Sequence, residues 1–191
     1  MVNAEAILSF WFGEPESPEF DTARKVWFIK NPDFDGEIRD RFLLTYQQAA
    51  QGELTPWQTQ PQTCLALILL LDQFPRNLFR GQPRAFATDV QALNIARFAV
   101  QQRFDQQFLP VQRAFFYLPF EHSESLADQV QCLELFGQLA DFPEVASYID
   151  YAERHYQVIQ RFGRFPHRNS ILGRVSTPEE IEFLQQPGSQ F

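Results

Sequence analysis

The sequence predicts an all-α fold, and three observations carry that prediction. Apolar residues recur at three- and four-residue spacing, as in Phe34, Ile38, Phe42, Tyr46 and Ala49. Capping and stop residues bracket those stripes at both ends of the chain, from Asn3 to the Thr177-Pro178-Glu179-Glu180 box. Nowhere does an alternating polar and apolar run read convincingly as a strand. Eight or nine short helices are expected, and because most are short, stacked antiparallel pairs suit them better than a four-helix bundle. The 191 residues, 45% apolar and including 21 Phe, supply a core for a single domain over 1–191.

Each element has its own warrant. Asn3 caps a first helix bearing Ile7, Leu8, Trp11 and Phe12, which Gly13 and Pro15 stop. Asp21 or Thr22 opens a short second helix through Ile29, with Pro32 as a break. The Phe34 to Ala49 stripe runs up to Gly52. Cys64 to Gln73 is continuously apolar and so ambiguous by period, but its leucine-rich, unbranched content favours helix. From about Arg84 to Arg103 one side carries Phe86, Val90, Leu93 and Val100, another Ala92, Ala96 and Ala99, whose small size invites a close neighbour. Pro110 starts a short helix that Pro119 limits, and Ser123 or Ser125 caps the next to about Ala140. Pro143 begins a longer helix ending at Gly163, with Val145, Tyr148, Ala152, His155, Ile159 and Phe162 inward. The Thr177 capping box opens the last helix, which fades at Pro187-Gly188.

Composition excludes several classes of function. A formal charge of −8 argues against non-specific binding to nucleic acid, which depends on outward basic surface. Cys64 and Cys132 lie in apolar runs without the spacing of a metal knuckle or redox pair, so both read as buried thiols in a reducing compartment. No basic segment precedes an apolar one near Met1, and the longest apolar run, Cys64 to Leu71, is far below the roughly 20 residues that cross a bilayer. A soluble, cytoplasmic protein without membrane contact is the expectation.

The charge is blocked rather than scattered. Arg154 to Pro178 holds five arginines, two histidines and no acid; Gln73 to Thr88 holds Arg76, Arg80 and Arg84 and no acid. Ala114 to Glu153 contains acids and neither Lys nor Arg. Of 16 basic residues only Lys25 and Lys30 are lysine, a bias suited to bidentate or stacked pairing. Either internal carboxylates or a bound anion must compensate such crowded guanidinium groups. The candidate ligand-binding residues are therefore Arg76, Arg80, His155, Arg164, Arg168 and Arg174. The candidates for catalysis are Glu121, His122, Glu124 and His167. Asp72 and Asp128, each followed by Gln, read as binders of backbone amides.

Longer motifs bring a resemblance. Leu-Leu-Leu-Asp-Gln-Phe-Pro-Arg-Asn-Leu-Phe-Arg-Gly (69–81), Tyr-Leu-Pro-Phe-Glu-His-Ser-Glu (117–124) and Arg-Phe-Gly-Arg-Phe-Pro-His-Arg-Asn (161–169) resemble the bacterial family called domain of unknown function 924. Ala85 to Asp89 and the tail Leu172-Gly173-Arg174 to Glu180 extend the likeness over nearly the whole chain. The resemblance implies a helical fold similar to tetratricopeptide-repeat superhelices and implies no activity.

Two functions from different classes fit. The first is a pocket for a small anionic ligand held by the arginines, with His122 and His167 transferring protons and Glu121 or Glu124 setting histidine basicity, in hydrolase- or lyase-like chemistry. The second is a protein-interaction module whose Arg/Glu/His cluster only holds the architecture, so whether the chain is an enzyme stays open. A divalent metal on Glu121, His122 and Glu124, completed by His155 or His167, is not favoured, because the spacing matches no ligand motif. Phosphate loops, dinucleotide fingerprints and serine elbows are absent.

Overall fold

The computed structural model describes residues 2–18, 20 and 22–189, and among these every regular element is helical. The first helix, α1 (Ala4–Phe12), starts where Asn3 accepts from the Ala6 N–H at 2.9 Å and ends at Gly13, with φ of 86°. In place of a second helix there is only a 3-10 turn, Lys25–Trp27; Asp21, one of its two expected caps, lies outside the described residues. Pro32 is not a break but the first residue of α2 (Pro32–Ala50), where its missing N–H costs nothing, and Asn31 caps the next two amides.

The ambiguous apolar run is helical. It begins as α3 (Pro61–Ile68), widens to a π turn over Leu69–Gln73, and continues as α4 (Phe74–Leu78). Phe74-Pro75-Arg76-Asn77 thus lies within a helix, whereas its echo at Phe165 follows one. Pro75 has no N–H to give the Leu71 carbonyl four residues back. That carbonyl instead accepts from the Thr88 hydroxyl at 2.6 Å, and the Arg76 side chain takes the Asp72 carbonyl.

The helix expected from Arg84 is a 3-10 turn, Pro83–Phe86, followed by α5 (Asp89–Gln101). Its Ala92, Ala96 and Ala99 face is fully buried against α3 and α6 (Pro110–Glu121), the close approach that small residues permit. Pro119 does not limit α6 but sits inside it. Ser125 precedes α7 (Leu126–Gly137) without a side-chain cap bond; Ser123 Oγ bonds Asp128 instead. After a 3-10 turn at Pro143–Val145 comes α8 (Ala146–Phe162), closed by Gly163 at φ 67°. The Thr177 box then opens α9 (Pro178–Leu184) with both reciprocal hydrogen bonds.

Successive helices pack as neighbours, α6 on α7 and α7 on α8. The main core gathers rings from distant segments: Trp11 stacks on Trp27 at 5.7 Å and meets Phe74 and Phe115 edge-on or tilted. A smaller apolar cluster, Val158, Ile159 and Phe165 with Phe162 and Phe183, holds the C-terminal layer. Among the described residues no helix is long and apolar enough to cross a membrane.

Candidate functional site

A cavity of about 360 Å3 opens at the seam between the main core and the C-terminal layer. His122, Asp89, Glu124 and Arg168 supply its charged or titratable wall, and Phe86, Val90, Leu93 and Pro119 much of the rest. Four separate elements converge there: the 3-10 turn Pro83–Phe86, the start of α5, the end of α6, and the 3-10 turn Pro166–Arg168.

The π turn sets the chemistry of His122. Asp72, fully buried, puts Oδ1 2.8 Å from His122 Nδ1, and its Oδ2 accepts from Gln73 Nε2 at 2.5 Å. Burial opposes a charge on Asp72, but His122 and Arg76 outweigh it and hold the carboxyl down at about 2. An ionised carboxylate only accepts, so Nδ1 carries the hydrogen and Nε2 keeps its lone pair on the cavity side of the pair. Burial first, and then Arg76, lower the His122 pKa, so the ring is neutral at pH 7. The α6 end that presents it is fixed from behind: Gln129 Nε2 donates to the Glu121 and Ser123 carbonyls, both at 2.7 Å. Asp128 and Gln129 therefore brace this corner rather than binding free amides.

Glu121 points the other way. Its Oε1 lies 3.2 Å from His155 Nδ1, which itself donates to the Tyr151 carbonyl at 2.8 Å, and Oε2 is buried without a hydrogen-bond partner. Burial, reinforced by the nearby Asp72 charge, pushes Glu121 up to about 8, and burial drives His155 down to about 3. Both are neutral at pH 7 and neither lines the cavity. Glu124 is clamped by Arg174 through two bonds, 2.6 and 2.9 Å, and accepts from the Phe165 N–H at 2.8 Å.

The arginines divide in two. Arg80 grips Asp35 at 2.6 and 2.9 Å, away from the cavity, and Arg164 grips Glu180 at 2.6 and 2.8 Å. Arg164 and Arg168 pair with Glu180 and Asp89, carboxylates in the first turns of α9 and α5, and not with the candidate acids Glu121 and Glu124. With Arg174, these three guanidinium groups are architectural in their observed bonding. Arg76 binds Asp89 bidentately at 3.0 and 3.2 Å.

Arg168 differs. It is 6% exposed, stacked on Phe165 at 4.5 Å and Phe86 at 4.7 Å, and among the described residues its guanidinium has one hydrogen-bond partner, Asp89, which Nη1 reaches at a long 3.4 Å. Nε is buried without one. Burial lowers its pKa to about 10, which still leaves it charged. His167, its neighbour, lies against the Phe165 ring at 5.6 Å, is pushed down to about 4 by burial, and does not line the cavity.

Glu121, His122 and Glu124 are spent on three different partners, and among the described residues no group of three or more His, Cys, Asp or Glu side chains is placed to hold a metal ion. The sequence reading missed Asp72, Asp89 and Phe86 as parts of this site. An acid placed directly at the end of the longest apolar run, Leu-Leu-Leu-Asp-Gln, was the available signal for Asp72.

The family model described as "Bacterial protein of unknown function (DUF924)" matches residues 7–188. A solved structure, that of a protein of unknown function, ATU0120, from Agrobacterium tumefaciens, is 41% identical with a TM-score of 0.84, covering 95% of this chain and 96% of that one. No curated protein matches.

Proposed function

Starting from a chain that belongs to the DUF924 family of bacterial proteins, we propose that its cavity binds a small anion on Arg168 and that His122 moves a proton to or from it. Arg168 carries this reading: a charged guanidinium held between two rings, beside a cavity, with most of its donors unspent. Leaving the buried Nε unpaired costs about 1 to 3 kcal/mol, so a ligand that takes it recovers that cost on binding. Asp72 and His122 then form the acid–base pair, with Asp72 fixing the tautomer and Nε2 as the base.

No side-chain nucleophile accompanies the pair. Ser123 spends its hydroxyl on Asp128, and burial raises the Cys132 thiol well above its ordinary value. The chemistry this supports is hydrolytic attack by a water that His122 activates, or proton abstraction in a lyase reaction. The scaffold belongs to the same proposal: one soluble, cytoplasmic domain built as a tetratricopeptide-repeat-like stack of helix pairs. The architectural alternative fits Arg80, Arg164 and Arg174, each of which grips a carboxylate through two hydrogen bonds, better than it fits Arg168, whose one bond is long.

Calorimetric titration with phosphate and with acetate at pH 7 tests the reading. Binding should vanish in Arg168→Gln, and the His122 ring, followed by NMR, should titrate at higher pH when the anion is bound. No heat from either anion, with the His122 titration unmoved, would sink the proposal.

A further inference from the structure

The apolar part of the cavity lining speaks to what else the ligand carries. Val90 and Leu93 stand one turn apart on α5, beside Phe86, and Pro119 and Leu172 continue the same carbon surface. Val90 is 71% exposed and Leu172 38%, so the apolar lining runs out to the rim instead of stopping at a buried floor. An inorganic anion, held by charge-assisted hydrogen bonds alone, gains nothing from such a wall.

The wall is also aliphatic in what it can offer. Phe86 is its one aromatic ring, and that ring is already stacked by Arg168 at 4.7 Å and approached by Arg76 at 5.9 Å. What remains for a ligand is the branched surface of Val90, Leu93 and Leu172 with the ring edges of proline. The volume, about 360 Å3, is at the small end of the roughly 300 to 1,000 Å3 of ligand pockets, room enough for a short chain.

Building on the anion reading, we infer that the ligand is a short-chain aliphatic carboxylate, its head on Arg168 beside His122 and its chain laid along Val90, Leu93 and Leu172 toward the rim. Phe86 and Val90 then act as specificity determinants: the first fixes the guanidinium, the second measures the chain.

Titration of the full chain with acetate, butyrate and hexanoate, with phosphate and 1-hexanol as controls, decides it. The expected result is a Kd that falls by about fourfold for each methylene buried, with Val90→Asn flattening that dependence; since Val90 is exposed, the substitution leaves the core untouched. Acetate and hexanoate binding equally, while phosphate still binds through Arg168, would overturn the inference and leave the anion site standing. Hexanol binding as tightly as hexanoate would overturn it too, because the head would then be idle. If none of the anions bound, phosphate included, both readings would fail together.

Discussion

Asp72 and Glu121 are two buried carboxyls in one neighbourhood with opposite fates, and the difference is what each touches. Asp72 meets the His122 N–H and Arg76 and is ionised; Glu121, one residue before His122, has an orphaned oxygen and stays protonated up to about 8. Because the folded state raises its pKa from 4.5, the fold keeps a proton that the unfolded chain releases, and stability falls as pH rises from 4.5 to about 8. Glu121→Gln removes that loss: urea unfolding should find it gaining on the wild type by a few kcal/mol, in order of magnitude, between pH 5 and pH 8. His122→Asn should leave the melting temperature nearly unchanged, since the amide can still donate to Asp72, while any turnover drops by about a hundredfold or more. At this scale the sequence was half legible. His122 and Arg168 stand out as residue types in dense motifs, but the partner of His122 lies 50 residues away, and only the packing of α3 and α6 brings Asp72 to it.

Elements were readable where their chemistry is local. The Thr177 box, the Asn3 cap and the Gly163 stop each depend on residues within one turn, and all three stand as the sequence implies. Thr177→Ala should accordingly cost about 1 kcal/mol in denaturant unfolding. The π turn was not readable, because it needs Pro75 to free the Leu71 carbonyl and Thr88, on another segment, to satisfy it. Thr88→Val keeps the shape and removes the bond, so a loss of about 1 to 3 kcal/mol is expected from an unsatisfied buried carbonyl. The same substitution should loosen the turn that carries Asp72, which amide hydrogen exchange through Leu69–Gln73 would register as faster opening.

Across the whole molecule, the balance of charge is settled by pairs between segments, such as Glu124 with Arg174 and Asp89 with Arg76 and Arg168. A single domain predicts that tryptophan fluorescence, which reports the Trp11 and Trp27 stack, and helical circular dichroism lose their signals at one midpoint. Two midpoints would mean that the C-terminal layer unfolds by itself. Burial lowers His155 to about 3 and His167 to about 4, so both resist protonation in the fold and their contribution to stability is lost as pH falls from 6.5 toward those values; Glu121 opposes that loss down to pH 4.5, and acid should weaken the whole below it. The order in which the cavity's parts occur along the chain has a consequence in time. Asp72, Asp89 and His122 leave the ribosome first, and the guanidinium that completes the site follows at Arg168, tens of residues later and seconds behind at about 5 to 20 residues per second. If the proposed anion site is right, the nascent helices can assemble around Asp72 and His122 before Arg168 is made, so its ligand would fasten a molecule that has already closed and would not guide the early steps of folding.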